Sequence, residues 1–160
     1  MTAAEAMEDI RLTVDGQERR LMADPRMLLL NALRGELGVM AARFGCGAGF
    51  CGACNVLVDG RVTTACNIRL GDVAGRAVVT AAGLGRPSAP HPLQAAFLAE
   101  QAAQCGYCIS GILVSAAALL ARNPQPTEAE VRAALDGNLC RCGSHNRIVR
   151  AVLRATHGRR

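Results

Sequence analysis

The chain is predicted to be an α+β protein in which a strand-built N-terminal half is followed by an all-helical C-terminal half. Two Asp-Gly turns, Asp15-Gly16 and Asp59-Gly60, each lie between alternating apolar residues, the pattern of a β-hairpin. Beyond residue 91 the remainder reads as four helices. Eight cysteines divide between the halves as two quartets, Cys46, Cys51, Cys54 and Cys66, then Cys105, Cys108, Cys140 and Cys142. A chain of 160 residues suffices for one ordinary domain, or for two small ones supported by more than hydrophobic burial.

In order along the chain, Ile10, Leu12 and Val14 share one face of a first strand, and 17–22 return as its partner. Asp24 then suits a helix cap and Pro25 the first helical position, with a Leu-rich helix over 27–37 ending at Gly38. Residues 43–54 hold four glycines, which exclude a regular element. Val56 and Val58 lead into the second hairpin, whose return strand is expected to present Cys66, and a last strand is expected at 77–80. This N-terminal domain spans 9–82. A Gly- and Pro-rich linker covers 83–91, and a four-helix domain covers 92–158. Its helices are expected at 92–101, 109–122, 128–135 and 144–157, the third opened by a Thr127-x-x-Glu130 capping box.

The first quartet reads C-x4-C-x2-C-x11-C, and its first three positions have the spacing by which plant-type ferredoxins hold a [2Fe–2S] cluster. Soft anionic thiolates match iron and bridging sulfide, and four of them saturate a two-iron rhombus. The glycines among them let backbone N–H groups approach sulfur. Zinc sites assemble instead from two short knuckles, which this spacing matches poorly. The second quartet, C-x2-C-x31-C-x-C, is ambiguous by itself. Its C-x2-C is shared with zinc ribbons and redox motifs, although its C-x-C is unusual for a zinc knuckle.

Composition narrows the function. Aromatic residues make up 2% of the chain and Trp is absent, so the stacking platform of a single-strand nucleic-acid binder is missing despite a net charge of +5. The cations Arg147, Arg150, Arg154, His157, Arg159 and Arg160 cluster at the C-terminus. They read as a solvated helix face, with an acidic docking partner as the alternative. No apolar run reaches the ~20 residues of a membrane span. The acidic N-terminus carries no secretory signal, so a cytoplasmic, reducing location is expected, which favours metal thiolates over disulfides. Neither an HExxH nor a GxSxG word occurs. His91 between prolines reads as a turn former, His145 as a helix-start residue, and Glu128 and Glu130 as first-turn helix charges. No general base is visible.

The words Gln104-Cys105-Gly106-Tyr107-Cys108 and Gly137-Asn138-Leu139-Cys140-Arg141-Cys142-Gly143, with Cys46-Gly47 and Cys51-Gly52-Ala53-Cys54, resemble the small iron–sulfur subunit of the molybdenum hydroxylases. That family includes xanthine dehydrogenase, aldehyde oxidoreductase and carbon monoxide dehydrogenase. Phe44-Gly45-Cys46-Gly47, Ala102-Ala103-Gln104-Cys105 and Cys142-Gly143-Ser144-His145 look most like members acting on N-heterocycles such as nicotinate and isoquinoline. Ile109-Ser110, His145 and Asn55 depart from the residues frequent in the family, and none of them is a cysteine.

The resemblance implies a plant-type ferredoxin-like (β-grasp) domain followed by a four-helix [2Fe–2S] domain, with both quartets holding clusters. It also implies a large partner subunit that carries molybdopterin, in its cytosine dinucleotide form, and hydroxylates the substrate with oxygen from water. Electrons would pass singly through the helical-domain cluster, with Cys142 and Gln104 at the pterin, to the first cluster. From there they would reach a flavin (FAD) subunit or a cytochrome c (heme c), which could also hold the complex at a membrane. A free-standing ferredoxin-type carrier is the competing class. The Ala-rich bundle argues against it, since its apolar patches need a covering partner.

Overall fold

The computed structural model describes residues 7–157, without the His157 side chain. The N-terminal stretch up to residue 6 and the tail cations Arg159 and Arg160 lie outside the described residues. Strands β1 (Glu8–Val14) and β2 (Gln17–Ala23) pair antiparallel, with Val14 opposite Gln17 at the turn. With β3 (Asn55–Val58), β4 (Arg61–Thr64) and β5 (Ala77–Val79) they form one sheet of order β2-β1-β5-β3-β4. Only the β1–β5 pair is parallel.

Both hairpin turns place Asp and Gly at positive φ, 51° and 79° at Asp15-Gly16 and 47° and 79° at Asp59-Gly60. Two successive left-handed residues match the right-handed twist of the flanking strands. The two aspartates also tie the hairpin tips to the ends of β5. Asp15 accepts from the Thr80 N–H at 2.6 Å and the Thr80 hydroxyl at 2.7 Å. Asp59 accepts from the Ala77 N–H at 3.0 Å and Arg76 Nε at 2.6 Å. The Arg76 guanidinium, then the Ala77 amide, hold the Asp59 carboxyl below its usual range.

The first helix starts later than its sequence suggests. The Asp24 carboxylate accepts from the Arg26 N–H at 2.8 Å and pairs with the Arg26 guanidinium, closing a local turn rather than capping a helix. Backbone pairing of the Leu29 N–H with the Ile68 carbonyl at 2.9 Å accompanies an extended Leu28. Helix α1 therefore spans Leu29–Asn31 and continues as a π-turn over Ala32–Glu36. Leu29, Leu30 and Leu33 are buried against Ile10, Leu12, Val56 and Val58 in the sheet-domain core.

The C-terminal half folds as α2 (Pro92–Ala99), α3 (Ile109–Arg122), α4 (Glu128–Ala134) and α5 (His145–His157). The capping box at Thr127 and Glu130 is present, a feature worth about 1 kcal/mol. A second box opens α2, where His91 Nδ1 accepts from the Leu93 N–H and Gln94 accepts from the His91 N–H. His91 is thus a helix cap. The segment expected to be a linker is itself structured, with Arg86 and Ala89 exchanging backbone hydrogen bonds and Leu84 packed on the helical core.

Helix α3 is the centre of the molecule, because every residue from Gly111 to Leu120 is buried. A helix apolar on all sides requires neighbours on all sides. One flank meets β3 and β4, and another meets α2 and α4. Helix α5 closes the bundle on α2 and α4, burying Ile148, Val149 and Val152. Its opposite face carries Arg150 and Arg154, both paired with Glu100.

Candidate metal centres

No helix or strand forms between Leu37 and Cys54, and the chain there wraps one sulfur. Cys46 Sγ accepts from the N–H groups of Ala48 at 3.4 Å, Phe50 at 3.3 Å and Cys51 at 3.4 Å. The Cys46 N–H in turn donates to Cys51 Sγ at 3.3 Å. Gly47 makes this wrap possible, since it sits at φ +67 and a Cβ there would lie 2.9 Å from the Phe44 ring. The amides of Ala48, Cys51 and Phe50, in that order of effect, draw the Cys46 thiol down to about 6.

Cys54 lies just before β3, buried, where desolvation, aided by the Cys66 thiol and opposed by the Cys66 amide, pushes its thiol up to about 12. Cys66 is not on the return strand. Strand β4 ends at Thr64, opposite Asn55, and Cys66 follows in a 3-10 turn over Ala65–Asn67. The pairing partner runs out there, and the Ala65 N–H reaching the Cys54 carbonyl at 3.4 Å keeps the turn beside Cys54.

The second quartet is assembled by helix packing. Cys105 and Cys108 lie between α2 and α3, with Cys108 at the α3 N-cap, and Cys140 and Cys142 lie between α4 and α5. Cys142 Sγ sits 3.5 Å from Cys105 Sγ, and the Cys108 and Cys140 thiols are close enough for each to shift the other's ionisation. Burial pushes Cys108 up to about 12. Cys105 is lowered, chiefly by the Tyr107 amide and then by the Cys142 thiol. Burial opposes ionisation of Cys140, yet the Ser144 amide, the Cys108 thiol and the Cys142 and Gly143 amides together outweigh it.

In the second quartet the Cys105 and Cys142 sulfurs stand side by side, and in the first the Cys46 amide donates to Cys51 Sγ. Among the described residues no three Cys, His, Asp or Glu side chains converge on a single ion. Four thiols in each quartet, with backbone amides aimed at the Cys46 sulfur, would suit a two-iron cluster better than a four-coordinate zinc. The residues present fit that group.

The quartets also adjoin each other. One cavity of about 260 Å³ is lined by Cys46 and Cys51 from the first and by all four cysteines of the second. Phe44, Phe50, Tyr107 and Leu139 are exposed apolar side chains of the same cysteine-bearing segments. Gln104 and Cys142 come together with Arg147 in a separate polar concavity of about 530 Å³. Several contacts across this junction were not legible from the sequence. The Asn55 amide donates to Ser115 Oγ at 3.0 Å, the Tyr107 hydroxyl donates to the Phe44 carbonyl at 2.6 Å, and Arg43 lies over the Tyr107 ring at 5.7 Å. Asn55 stands out in the sequence only as a departure from the resembled pattern, and Tyr107 only as the single tyrosine.

Residues 12–77 match the family described as 2Fe-2S iron-sulfur cluster binding domain, and residues 80–153 match that described as [2Fe-2S] binding domain. The chain is 49% identical over 151 residues to a subunit of nicotinate dehydrogenase from Pseudomonas putida, covering 94% of this chain and 96% of that one. It is 45% identical over 147 residues to the alpha subunit of isoquinoline 1-oxidoreductase from Brevundimonas diminuta, covering 91% and 96%. Quinoline 2-oxidoreductase from Pseudomonas putida 86 shares its structure, with a TM-score of 0.91 at 34% identity over 96% of each chain. With two cluster-binding domains matched nearly end to end in such subunits, this chain belongs to the small [2Fe–2S] subunits of the molybdenum hydroxylase family, the iron–sulfur electron-transfer components of oxidoreductase complexes.

Proposed function

We propose that this chain passes single electrons from a molybdopterin centre on a large partner subunit, through two [2Fe–2S] clusters, to a flavin or cytochrome c acceptor. Cys46, Cys51, Cys54 and Cys66 hold one cluster, and Cys105, Cys108, Cys140 and Cys142 hold the other. The placement of Cys142 carries this reading, because it lines both the cavity shared by the quartets and the polar concavity containing Gln104. Gln104 and Cys142 then face the pterin of the partner, and the helical-domain cluster is the entry point.

A [2Fe–2S] cluster supplies a site that takes up and returns one electron at a time. The amides around Cys46 and Cys140 spread the added negative charge. Exposed Phe44, Phe50 and Leu139 favour a covered surface over a free-standing carrier. The named relatives act on nicotinate and isoquinoline, which supports an N-heterocyclic substrate, with an aldehyde as the other class in the family. Among the described residues no helix is long and apolar enough to cross a membrane.

Iron, sulfide, pterin, flavin and heme analysis of the purified complex tests this assignment, together with EPR after addition of an N-heterocycle. Two distinct [2Fe–2S] signals and a copurifying pterin are expected. Zinc in either quartet, or a stable cluster-loaded chain without a pterin-bearing partner, would overturn it.

A further inference from the structure

The two cysteine-bearing loops are fastened together at contacts that no ligand role requires. The Leu139 N–H donates to the Cys51 carbonyl at 3.0 Å, and Asn138 Nδ2 donates to the adjacent Gly52 carbonyl at 3.3 Å. Asn138 is only 4% exposed, and a side-chain amide that deeply buried is costly unless it is hydrogen-bonded. The Gly52 peptide is gripped from two sides. A Cβ on Gly52 would come within 2.5 Å of Asn138 Nδ2 and 2.7 Å of the Gly137 carbonyl, and a Cβ on Gly111 of α3 would strike the Gly52 carbonyl.

We infer that Asn138 is a positioning residue for electron exchange between the two clusters. By holding the Gly52 carbonyl it fixes the 51–52 backbone so that the Cys51 C=O accepts from the Leu139 N–H. A continuous route then runs from Cys51 Sγ along its own backbone to the carbonyl oxygen and across one hydrogen bond to the Leu139 amide. From there it follows the peptide to Cys140 Sγ. One cluster loses the single electron that the other gains, and no proton or heavy atom moves. Asparagine suits the position because its donor is neutral. Aspartate would set an acceptor against the Gly52 carbonyl and place negative charge between two anionic centres.

The inference rests on the relay proposed for this chain, and the assembled complex tests it. With Asn138→Ala, both clusters are expected to stay loaded by iron count and to give separate EPR signals. Hydrogen exchange in the 137–141 segment should rise. The magnetic splitting between the two reduced clusters should weaken, and their electron exchange, followed by freeze-quench EPR, should slow about tenfold. Unchanged splitting and exchange rate in a loaded variant overturn the role of Asn138. If the alanine variant loses iron, Asn138→Asp, of the same size, decides the matter, and loss of iron from both variants also overturns it. Failure of substrate to reduce either cluster in the unmodified complex sinks the relay itself. Reduction of both there, with unaltered exchange in the variants, removes only the positioning role.

Discussion

From Cys46 to Cys54 three thiols follow closely along one loop, and those of Cys46 and Cys51 take hydrogen bonds from amides of that same loop, whereas the helical quartet joins two segments separated by α3 and α4. The first site is therefore a local conformation, set by glycines that let the backbone curl around sulfur. The second is a tertiary arrangement, set by how α5 packs on α2 and α4 and how these pack on α3. Both nevertheless contain an exposed thiol eased toward ionisation, Cys46 or Cys105, and a more enclosed thiol held protonated, the buried Cys54 or the half-buried Cys108. Different backbones thus reach the same chemical pattern, with one edge near the surface and one within the protein.

The harshest way to break the comparison is Cys51→Ser. It should abolish the N-terminal cluster, removing about half the iron, and leave the helical cluster visible by EPR. Loss of both signals from a folded chain would show that the centres do not load independently. Next in size is Leu120→Ala, which deletes a side chain 1% exposed in the helical core. It should cost about 2–5 kcal/mol and release the helical cluster first on heating, as followed by visible absorbance and EPR. Earlier loss of the N-terminal cluster would contradict the division into a local and a packed site.

Gly111→Ala tests the junction itself, since the added Cβ meets the Gly52 backbone. An overpacking cost of about 1–3 kcal/mol is expected in urea denaturation. Gly35→Ala serves as the control, because nothing lies within 4 Å of its Cβ position. Equal midpoints for the two variants would deny that the loops are tightly apposed. The gentlest test leaves stability alone and labels the metal-free chain with iodoacetamide at neutral pH. Cys46 should react first and Cys54 and Cys108 last, as read by mass spectrometry. The Cys46 thiol is lowered to about 6 from 9.0, so its labelling should decline as the pH falls through about 6, while the stabilisation its thiolate gives the fold is full above about 9 and is lost as the pH falls from there to about 6. Equal labelling of Cys46 and Cys54 would remove the asymmetry claimed for the quartet.

Legibility from sequence followed the range of the interactions. The hairpin turns, the Thr127 capping box, the α3 boundaries and the ferredoxin spacing were readable because each depends on residues a few positions apart. The start of α1 was misread because Asp24 had two local options, a cap or a turn, and pairing of Leu29 with Ile68, far along the chain, accompanies the turn. Cys66 fell past its strand for the same reason, since strand length is decided by where the partner ends.

The sequence by itself determined that the chain has a sheet half and a helical half, and the family to which it belongs. Those features reside in spacing, periodicity and residue type. Only the tertiary structure decided that the two quartets share one cavity, and that Asn138, Gly111, Tyr107 and Asn55 knit the junction between them. Such contacts join residues distant in sequence through single hydrogen bonds and close backbone approach, and these leave no periodic trace along the chain.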